Sequence, residues 1–290
     1  MKVLVTGGNG QLGRCLQDRL QYTDYEWQAP DQSNLDITDR SAIATYFKIF
    51  QPDIVINAAA YTAVDKAESD QENAYLVNAT APGYLAESCQ TAAIPLIHIS
   101  TDYVFDGTAT VPYKVSDQTN PQSVYGSTKL VGEQIVQSTL SEHIIIRTAW
   151  VFSEYGNNFV KTMLRLANFH PVLKIVGDQY GCPTYAGDLA DVILKMVMQV
   201  QFGQKLWGLY HYCGDQITSW HGFARAIFDE AKRQGIIDNI PQLRVINTDE
   251  YPVAAQRPQY SVLDCQLSFE NYHVEIANWR KALTRVINKI

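Results

Sequence analysis

Tyr125 and Lys129 stand four residues apart in Tyr-Gly-Ser-Thr-Lys, inside a stretch from Ser123 to Gln137 that reads as helix. That spacing puts both side chains on one helix face. A phenol beside an ammonium is a proton-transfer pair, because a nearby cation together with bound nicotinamide draws the phenol's pKa down from about 10. Ser100-Thr101 closes a run, Pro95 to Ser100, that reads as a buried strand. Its carboxyl end is where open parallel sheets bind ligands, which puts the Thr101 hydroxyl at a site. Tyr-x-x-x-Lys alone describes many amphipathic helix faces. Here it follows Thr101 by 24 residues and lies downstream of a glycine run, and that combination is specific.

The glycine run is Gly7-Gly8-Asn9-Gly10-Gln11-Leu12-Gly13. It follows the short β-branched segment Lys2 to Thr6 and opens a helix marked by Leu12, Leu16 and Leu20. Strand, tight turn and helix N-terminus together let backbone N–H groups approach a pyrophosphate, where the helix dipole favours negative charge. Gly7, Gly10, Gln11, Leu12 and Gly13 are therefore the candidate dinucleotide contacts. Tyr25 to Ala29 reads as the second strand, and Asp31 comes 24 residues after Gly7. There it serves either as the acid that accepts from an adenosine ribose 2′-OH or as a turn aspartate in Pro30 to Asn34. Asp36 and Ile37 are placed to line the adenine. An acid with no adjacent cation favours NADH at least as much as NADPH, and Arg14 is the cation that could reverse this.

The elements that must position these groups alternate strand and helix. Thr38 can cap a helix carrying Ile43, Phe47 and Phe50, Ile54-Val55-Ile56 is a third strand, and Ala74 to Ala93 is a helix with a kink at Pro82. His143 to Arg147 is a further buried strand. His98, alone among aliphatics with nothing nearby to pair with it, reads as a packed structural histidine. Beyond Arg147 the alternation loosens: residues 150 to 160 are aromatic and Gly/Asn-rich, and Gly177 to Thr184 is rich in turns. Such loops suit a ligand site. Later helices carry Leu189, Ile193, Met196 and Val200, then Phe223, Ile227 and Ala231 up to Gly235. The pattern predicts an α/β fold, a Rossmann-type doubly wound parallel sheet with a smaller interleaved C-terminal substrate-binding lobe. The expected dinucleotide domain is 1–151 with roughly 182–208 and 238–264. The expected substrate lobe is roughly 152–181, 209–237 and 265–290.

With 290 residues, 46% of them apolar, the chain can bury a full core. A net charge of −7 with no basic run argues against nucleic acid as a partner. No apolar run reaches the roughly 18 residues of a membrane span, and the short apolar start reads against a signal peptide, so the expected compartment is the cytoplasm. Cys15, Cys89, Cys182, Cys213 and Cys265 are scattered without a Cys-x-x-Cys spacing, which argues for free thiols and against a zinc site.

Taken together, these motifs make the sequence resemble the extended short-chain dehydrogenase/reductases, and more closely the dTDP-4-dehydrorhamnose reductases. The resemblance runs over nearly the whole chain. It rests on Gly7 to Gly13, Asn57 to Glu68 (Asn-Ala-Ala-Ala-Tyr-Thr-Ala-Val-Asp-Lys-Ala-Glu), Ser100 to Gly107, the Tyr125/Lys129 pair, Arg147 to Trp150, Asp178 to Thr184, and Arg257-Pro258. It implies reduction of dTDP-4-dehydro-6-deoxy-L-mannose to dTDP-L-rhamnose by NADPH or NADH. Thr101 would hydrogen-bond the substrate carbonyl, Tyr125 donate the proton and Lys129 hold the nicotinamide ribose, with Ala58, Ala59 and Ala60 beside the cofactor.

By the same resemblance, Thr62, Val64, Asp102, Tyr103 and Trp150 would form the sugar pocket, although Trp150 also fits a core aromatic. Gln179, Thr184 and Arg257 would face the nucleotide diphosphate or base; a surface ion pair is the other reading of Arg257. Tyr61 suits a cofactor contact or plain packing. An epimerase or other nucleotide-sugar reductase of this fold, and a non-catalytic subunit like the methionine adenosyltransferase beta subunits, share these features. One departure stands out. Family members that dimerise through magnesium use a glutamate two residues after the last glycine, where this chain has Cys15. A thiol suits that hard cation poorly, so the expectation is no magnesium requirement and a monomer or metal-independent homodimer.

Overall fold

A computed structural model describes all 290 residues. The first half runs β1 (Lys2–Thr6), α1 (Gln11–Leu20), β2 (Glu26–Gln28), α2 (Arg40–Phe50), β3 (Ile54–Asn57), α3 (Val64–Ala67), α4 (Gln71–Tyr75), α5 (Ala81–Ala92), β4 (Leu96–Thr101), α6 (Val124–Thr139) and β5 (His143–Thr148). The second half runs β6 (Val151–Phe152), α7 (Phe159–Ala167), β7 (Val172–Val176), β8 (Tyr180–Gly181), β9 (Thr184–Tyr185), α8 (Ala186–Gln201), β10 (Gly208–His211), β11 (Thr218–Ser219), α9 (Trp220–Arg233), β12 (Gln242–Ile246), α10 (Gln266–Tyr272) and α11 (Trp279–Ile287). None of these helices is long and apolar enough to cross a membrane.

Six strands form one parallel sheet in the order β10-β5-β4-β3-β1-β2. Its central strands are apolar on both sides because both faces are covered: Val3, Leu4, Val5, Ile54, Val55 and Ile56 are all fully buried. On one face Leu12, Leu16 and Leu20 of α1 meet Leu189, Ile193 and Met196 of α8. On the other, Ile43, Phe47 and Phe50 of α2 pack with Leu85, Cys89 and Val136. This is the doubly wound Rossmann arrangement expected from the alternating pattern. A second core, built around Phe223, Phe228, Trp279 and Leu283, lies under the parallel pair β7/β12 and helices α7, α9 and α11.

Local details differ from the sequence reading. Asp39, not Thr38, caps α2: its carboxylate accepts from the N–H groups of Ser41 and Ala42, while the Thr38 hydroxyl donates to Asp36. The helix expected over 74–93 is α4 and α5 joined by a π-turn, Leu76–Thr80. Pro82 sits just past that turn, where its missing N–H is tolerated. Asn78, buried in the π-turn, accepts from the N–H of Tyr61 and donates to its carbonyl and to Thr128 Oγ1. A widened helix turn thus anchors the loop after β3 to α6.

The lobe boundaries also need correcting. The expected border at 208/209 falls inside β10, which pairs in register with Ile144 to Arg147 of β5 and completes the large sheet. The expected dinucleotide segment 238–264 contains β12, which instead pairs with β7 in the smaller lobe. Within 265–290, α11 packs in the small-lobe core while Tyr272 and Val274 pack under the large sheet. Short strands beyond Arg147 carry too few residues for periodicity to say which sheet they join.

Candidate active site

A cleft of about 1020 Å³ opens at the carboxyl ends of β1, β3, β4 and β5. At one end the glycine turn builds a cradle. Gly7 has a φ of +74°, and a Cβ there would lie 2.7 Å from the Ala59 nitrogen, so only glycine lets the turn fit against the loop after β3. A Cβ on Gly13 would run into the Gly7 carbonyl, which is how α1 starts so close to the strand. Gly10 leaves the α1 N-terminus without a side-chain cap and its first turn holds no acid, as a pyrophosphate site requires.

Gly7, Gly10, Gln11 and Leu12 line this end, joined by Asp31, Asp36, Ile37, Ala58, Ala59 and Ala60. Gly13 shapes the turn from behind. Asp31 lines the cleft and accepts from Asn9, Ser33 and Asn34; the bonds from Ser33 and Asn34 hold its carboxylate below the usual range. Asp36 Oδ1 is engaged by the N–H and hydroxyl of Thr38, so the acid is preoriented as part of its turn. Arg14 lies over the Tyr155 ring and does not line the cleft. Tyr61 lines it while donating to Asp70 Oδ2, so cofactor contact and packing are compatible.

At the other end stand Thr101, Tyr125 and Lys129. Thr101 is the last residue of β4; its hydroxyl donates to Asp102 Oδ1 at 3.0 Å and accepts from the Tyr103 N–H. Ser123 caps α6 through the Gly126 N–H, which sets Tyr125 in the first helical turn. The phenol ring meets Tyr103 edge to face, with centroids 5.4 Å apart. Lys129 is buried; its ammonium donates to the Ile99 carbonyl at 2.7 Å, and burial brings its pKa down to about 8.

Burial, with Asp102 and Tyr103 acting in the same direction, raises the Tyr125 pKa, opposed only by the Thr101 hydroxyl, and Lys129 does not lower it. The ammonium is turned to the Ile99 carbonyl instead. For reduction of a ketone this direction is serviceable, because a proton donor must be protonated when charge reaches the carbonyl oxygen.

Thr62, Val64, Asp102, Tyr103 and Trp150 surround the same end of the cleft. Asp102 is 2% exposed, its Oδ2 has no hydrogen-bond partner, and burial pushes its pKa up to about 6 from an ordinary 3.8. Because the folded value is raised, the stabilising form is the protonated one. Its contribution is present in acid and lost as pH rises through roughly 4 to 6. Asp102→Asn should therefore stabilise the fold by on the order of 1–3 kcal/mol at about pH 7.5 and by little at about pH 4. Thermal unfolding at the two pH values checks this; an equal effect at both refutes it.

Trp150 adopts a left-handed φ of +49° and stacks on Trp220 of α9, with centroids 3.6 Å apart and planes 7° from parallel. Gly181 is small because a Cβ there would come 2.5 Å from the Trp150 ring. The structure does not bring Gln179, Thr184 or Arg257 to the cleft wall. Gln179 is buried and donates to Thr248 Oγ1. Thr184 is buried behind Trp150, its N–H donating to the Trp150 carbonyl. Arg257 donates to Asp65 Oδ2 at 2.5 Å and to the Tyr103 hydroxyl at 2.8 Å, so it braces a pocket residue through a pair formed across the lobes.

Other residues of the cleft carried no individual signal. Gly156, Asn157 and Asn158 line it, and Gln11 Oε1 accepts from Ser153 Oγ and Asn158 Nδ2, tying the glycine turn to this loop. The Gly/Asn-rich composition marked the loop, and Asn158 ahead of Phe159 is a readable helix cap. Trp220, which does not line the cleft but stacks on Trp150, had no such marker.

A doubly wound sheet whose cleft holds an uncapped glycine turn at one end and Thr101, Tyr125 and Lys129 at the other defines an oxidoreductase of the short-chain dehydrogenase/reductase type. The family described as the RmlD substrate binding domain matches residues 1–290, and the chain belongs to it. A dTDP-4-dehydrorhamnose reductase of Aggregatibacter actinomycetemcomitans is 42% identical over 287 residues, 98% of either chain. One from Salmonella typhimurium is 37% identical over 293 residues, 100% of this chain and 98% of its own. Among solved structures, a dTDP-4-dehydrorhamnose reductase of Clostridium acetobutylicum superposes with a TM-score of 0.92 at 42% identity, covering 99% of both chains. The Bacillus anthracis reductase in complex with NADP gives 0.92 at 35% identity, covering 100% of this chain and 99% of that one.

Proposed function

We propose that this protein reduces dTDP-4-dehydro-6-deoxy-L-mannose to dTDP-L-rhamnose with NADH or NADPH, the last step in making that activated sugar. The observation that carries the reading is the convergence of Thr101, Tyr125 and Lys129 in one cleft with the glycine cradle. When bound, the nicotinamide supplies the hydride. The Thr101 hydroxyl holds the ketone oxygen, Tyr125 gives that oxygen its proton, and the buried Lys129 holds the ribose. Thr62, Val64, Asp102, Tyr103 and Trp150 shape the sugar pocket. Arg257 braces Tyr103 and Thr184 backs Trp150. An intact Thr-Tyr-Lys set favours an enzyme over a non-catalytic subunit.

We further infer that the protein works in the cytoplasm as a monomer or metal-independent homodimer. Cys15 is fully buried between α1 and α8, with its thiol pKa pushed up to about 12, so that position faces the core and not a partner. The decisive experiment offers the purified protein dTDP-, UDP- and GDP-linked 4-keto sugars and follows nicotinamide absorbance, with and without a chelator. The expected result is turnover of the dTDP sugar, unchanged by the chelator, with NADH used at least as well as NADPH. Preference for a UDP or GDP sugar overturns the substrate. A preference above about tenfold for NADPH, worth about 1.4 kcal/mol, overturns the cofactor reading.

A further inference from the structure

Lys129 has a neighbour that the mechanism above does not use. His98, on β4, is completely buried beneath the cleft, and its Nε2 lies 3.5 Å from Lys129 Nζ. Its other ring nitrogen, Nδ1, lies 3.0 Å from Asn57 Nδ2 at the end of β3. The orientation of the Asn57 amide is not free. Its Oδ1 accepts from the backbone N–H of Ala59 at 3.2 Å and from Thr6 Oγ1 at 2.6 Å, and a backbone N–H can only donate. The amide nitrogen is therefore the atom that faces His98, and Nδ1 must accept from it. A neutral imidazole whose Nδ1 accepts carries its proton on Nε2. Burial and the adjacent Lys129 both keep His98 neutral.

We propose that His98, fixed in this tautomer by Asn57, is a positioning residue for Lys129: it turns an Nε2–H toward the lysine nitrogen and favours the uncharged amine. An ammonium would meet the positive end of that N–H, whereas an amine offers it a lone pair. The inference rests on Lys129 being a working residue of the reductase site.

The other charges around Lys129 do not duplicate this effect. Glu133, one turn further along α6, favours the ammonium, but it is itself paired with Arg147 of β5 and bonded by Ser100. The π-turn packed against α6 holds no titratable group, and the turn after β4 contributes Asp102 and Tyr103. The Ile99 carbonyl accepts one lysine proton and fixes where the nitrogen sits. Burial already lowers the Lys129 pKa to about 8, and a histidine N–H turned toward the nitrogen would act in the same direction. A site so built loses its ammonium at mildly alkaline pH.

Two conservative variants separate the two ring nitrogens. In His98→Asn the side-chain oxygen takes the Nδ1 place and keeps the Asn57 bond, but nothing reaches Lys129. In His98→Gln the amide nitrogen reaches the Nε2 place and keeps a donor toward the lysine. The readout is the alkaline limb of kcat/KM against pH. His98→Asn should move it upward by roughly 0.5–1 pH unit, and His98→Gln should leave it near the wild-type position. An unmoved limb in His98→Asn, or equal movement in both variants, overturns the proposal.

Should either variant fold poorly, long-range ¹⁵N NMR of the imidazole-labelled wild-type protein gives an independent answer: a bare Nδ1 and a protonated Nε2 are expected. A proton on Nδ1 refutes the inference. Lys129→Met distinguishes the underlying reading. Full turnover in that variant overturns both the site assignment and the role of His98, whereas lost turnover with an unmoved His98→Asn limb overturns the histidine role alone.

Discussion

Tyr125→Phe is expected to lower turnover by roughly 10²- to 10⁴-fold while cofactor affinity stays close to wild type. The aromatic ring would remain in the first turn of α6, held edge to face by Tyr103, so packing is conserved and only the hydroxyl is lost. Without it, charge developing on the ketone oxygen meets the Thr101 hydroxyl but no proton donor. Lys129, whose ammonium is held by the Ile99 carbonyl, keeps its place in the cofactor half of the cleft. Stopped-flow absorbance measures the chemical step, and quenching of protein fluorescence on cofactor addition measures binding. Undiminished turnover in the purified variant would remove Tyr125 from the mechanism. Equal loss of cofactor affinity would mean that the ring, and not the proton, is what matters.

The largest stability effect is expected at Glu133. Its carboxylate receives two charge-assisted hydrogen bonds from Arg147, Nε to Oε1 at 2.9 Å and Nη2 to Oε2 at 2.7 Å, and a third from Ser100. The side chains are only 2% and 4% exposed. Arg147 also lies over the Phe105 ring, 5.0 Å from its centroid. Glu133→Gln leaves the guanidinium charged and buried without its counter-ion, which typically costs about 3–5 kcal/mol. For a chain of this size each kcal/mol lowers Tm by roughly 2–4 °C, so a drop on the order of 10 °C follows. The pair joins β4, α6 and β5, which carry Thr101, Tyr125, Lys129 and the approach to Trp150. Activity should fall along with stability. Urea unfolding measures the loss, and a change under about 1 kcal/mol would show that the pair is not a structural tie.

The chemistry of the site was legible in the sequence wherever it is carried by contiguous residues. Gly7 to Gly13 lie on one strand–turn–helix unit, Thr101 ends a strand and the Tyr125/Lys129 pair opens a helix, and these local patterns, taken with the family resemblance, put them at the cleft. What depended on distant pairing could not be read in that way. Arg257 could be read as a phosphate contact or as an ion pair, and the structure gives it Asp65 and the Tyr103 hydroxyl, the former 192 residues away. His98 looked isolated because Asn57, its fixed partner, is 41 residues distant in sequence and adjacent only across the sheet. Trp150 announced a bulky aromatic, but not the stack on Trp220. The direction of the Lys129 side chain was not legible either, because a cation four residues away on a helix need not point at its neighbour. Here a backbone carbonyl of β4 holds it.

The position of β10 bears on how the chain is made. The large sheet has β10 as one outer strand, drawn from residues 208–211, while its neighbour β5 ends at residue 148. During synthesis the first five strands leave the ribosome long before the sixth. At a typical 5–20 residues per second, the roughly sixty residues between them keep β5 waiting for several seconds. Throughout that interval β5 presents an apolar strand with open backbone donors and acceptors, the kind of edge that recruits other nascent chains. Truncated products ending near residue 151 would keep that edge permanently. The second half of the gene thus encodes a seal for the first as well as a lobe, and the nucleotide-binding half cannot be expected to accumulate in soluble form before that seal arrives.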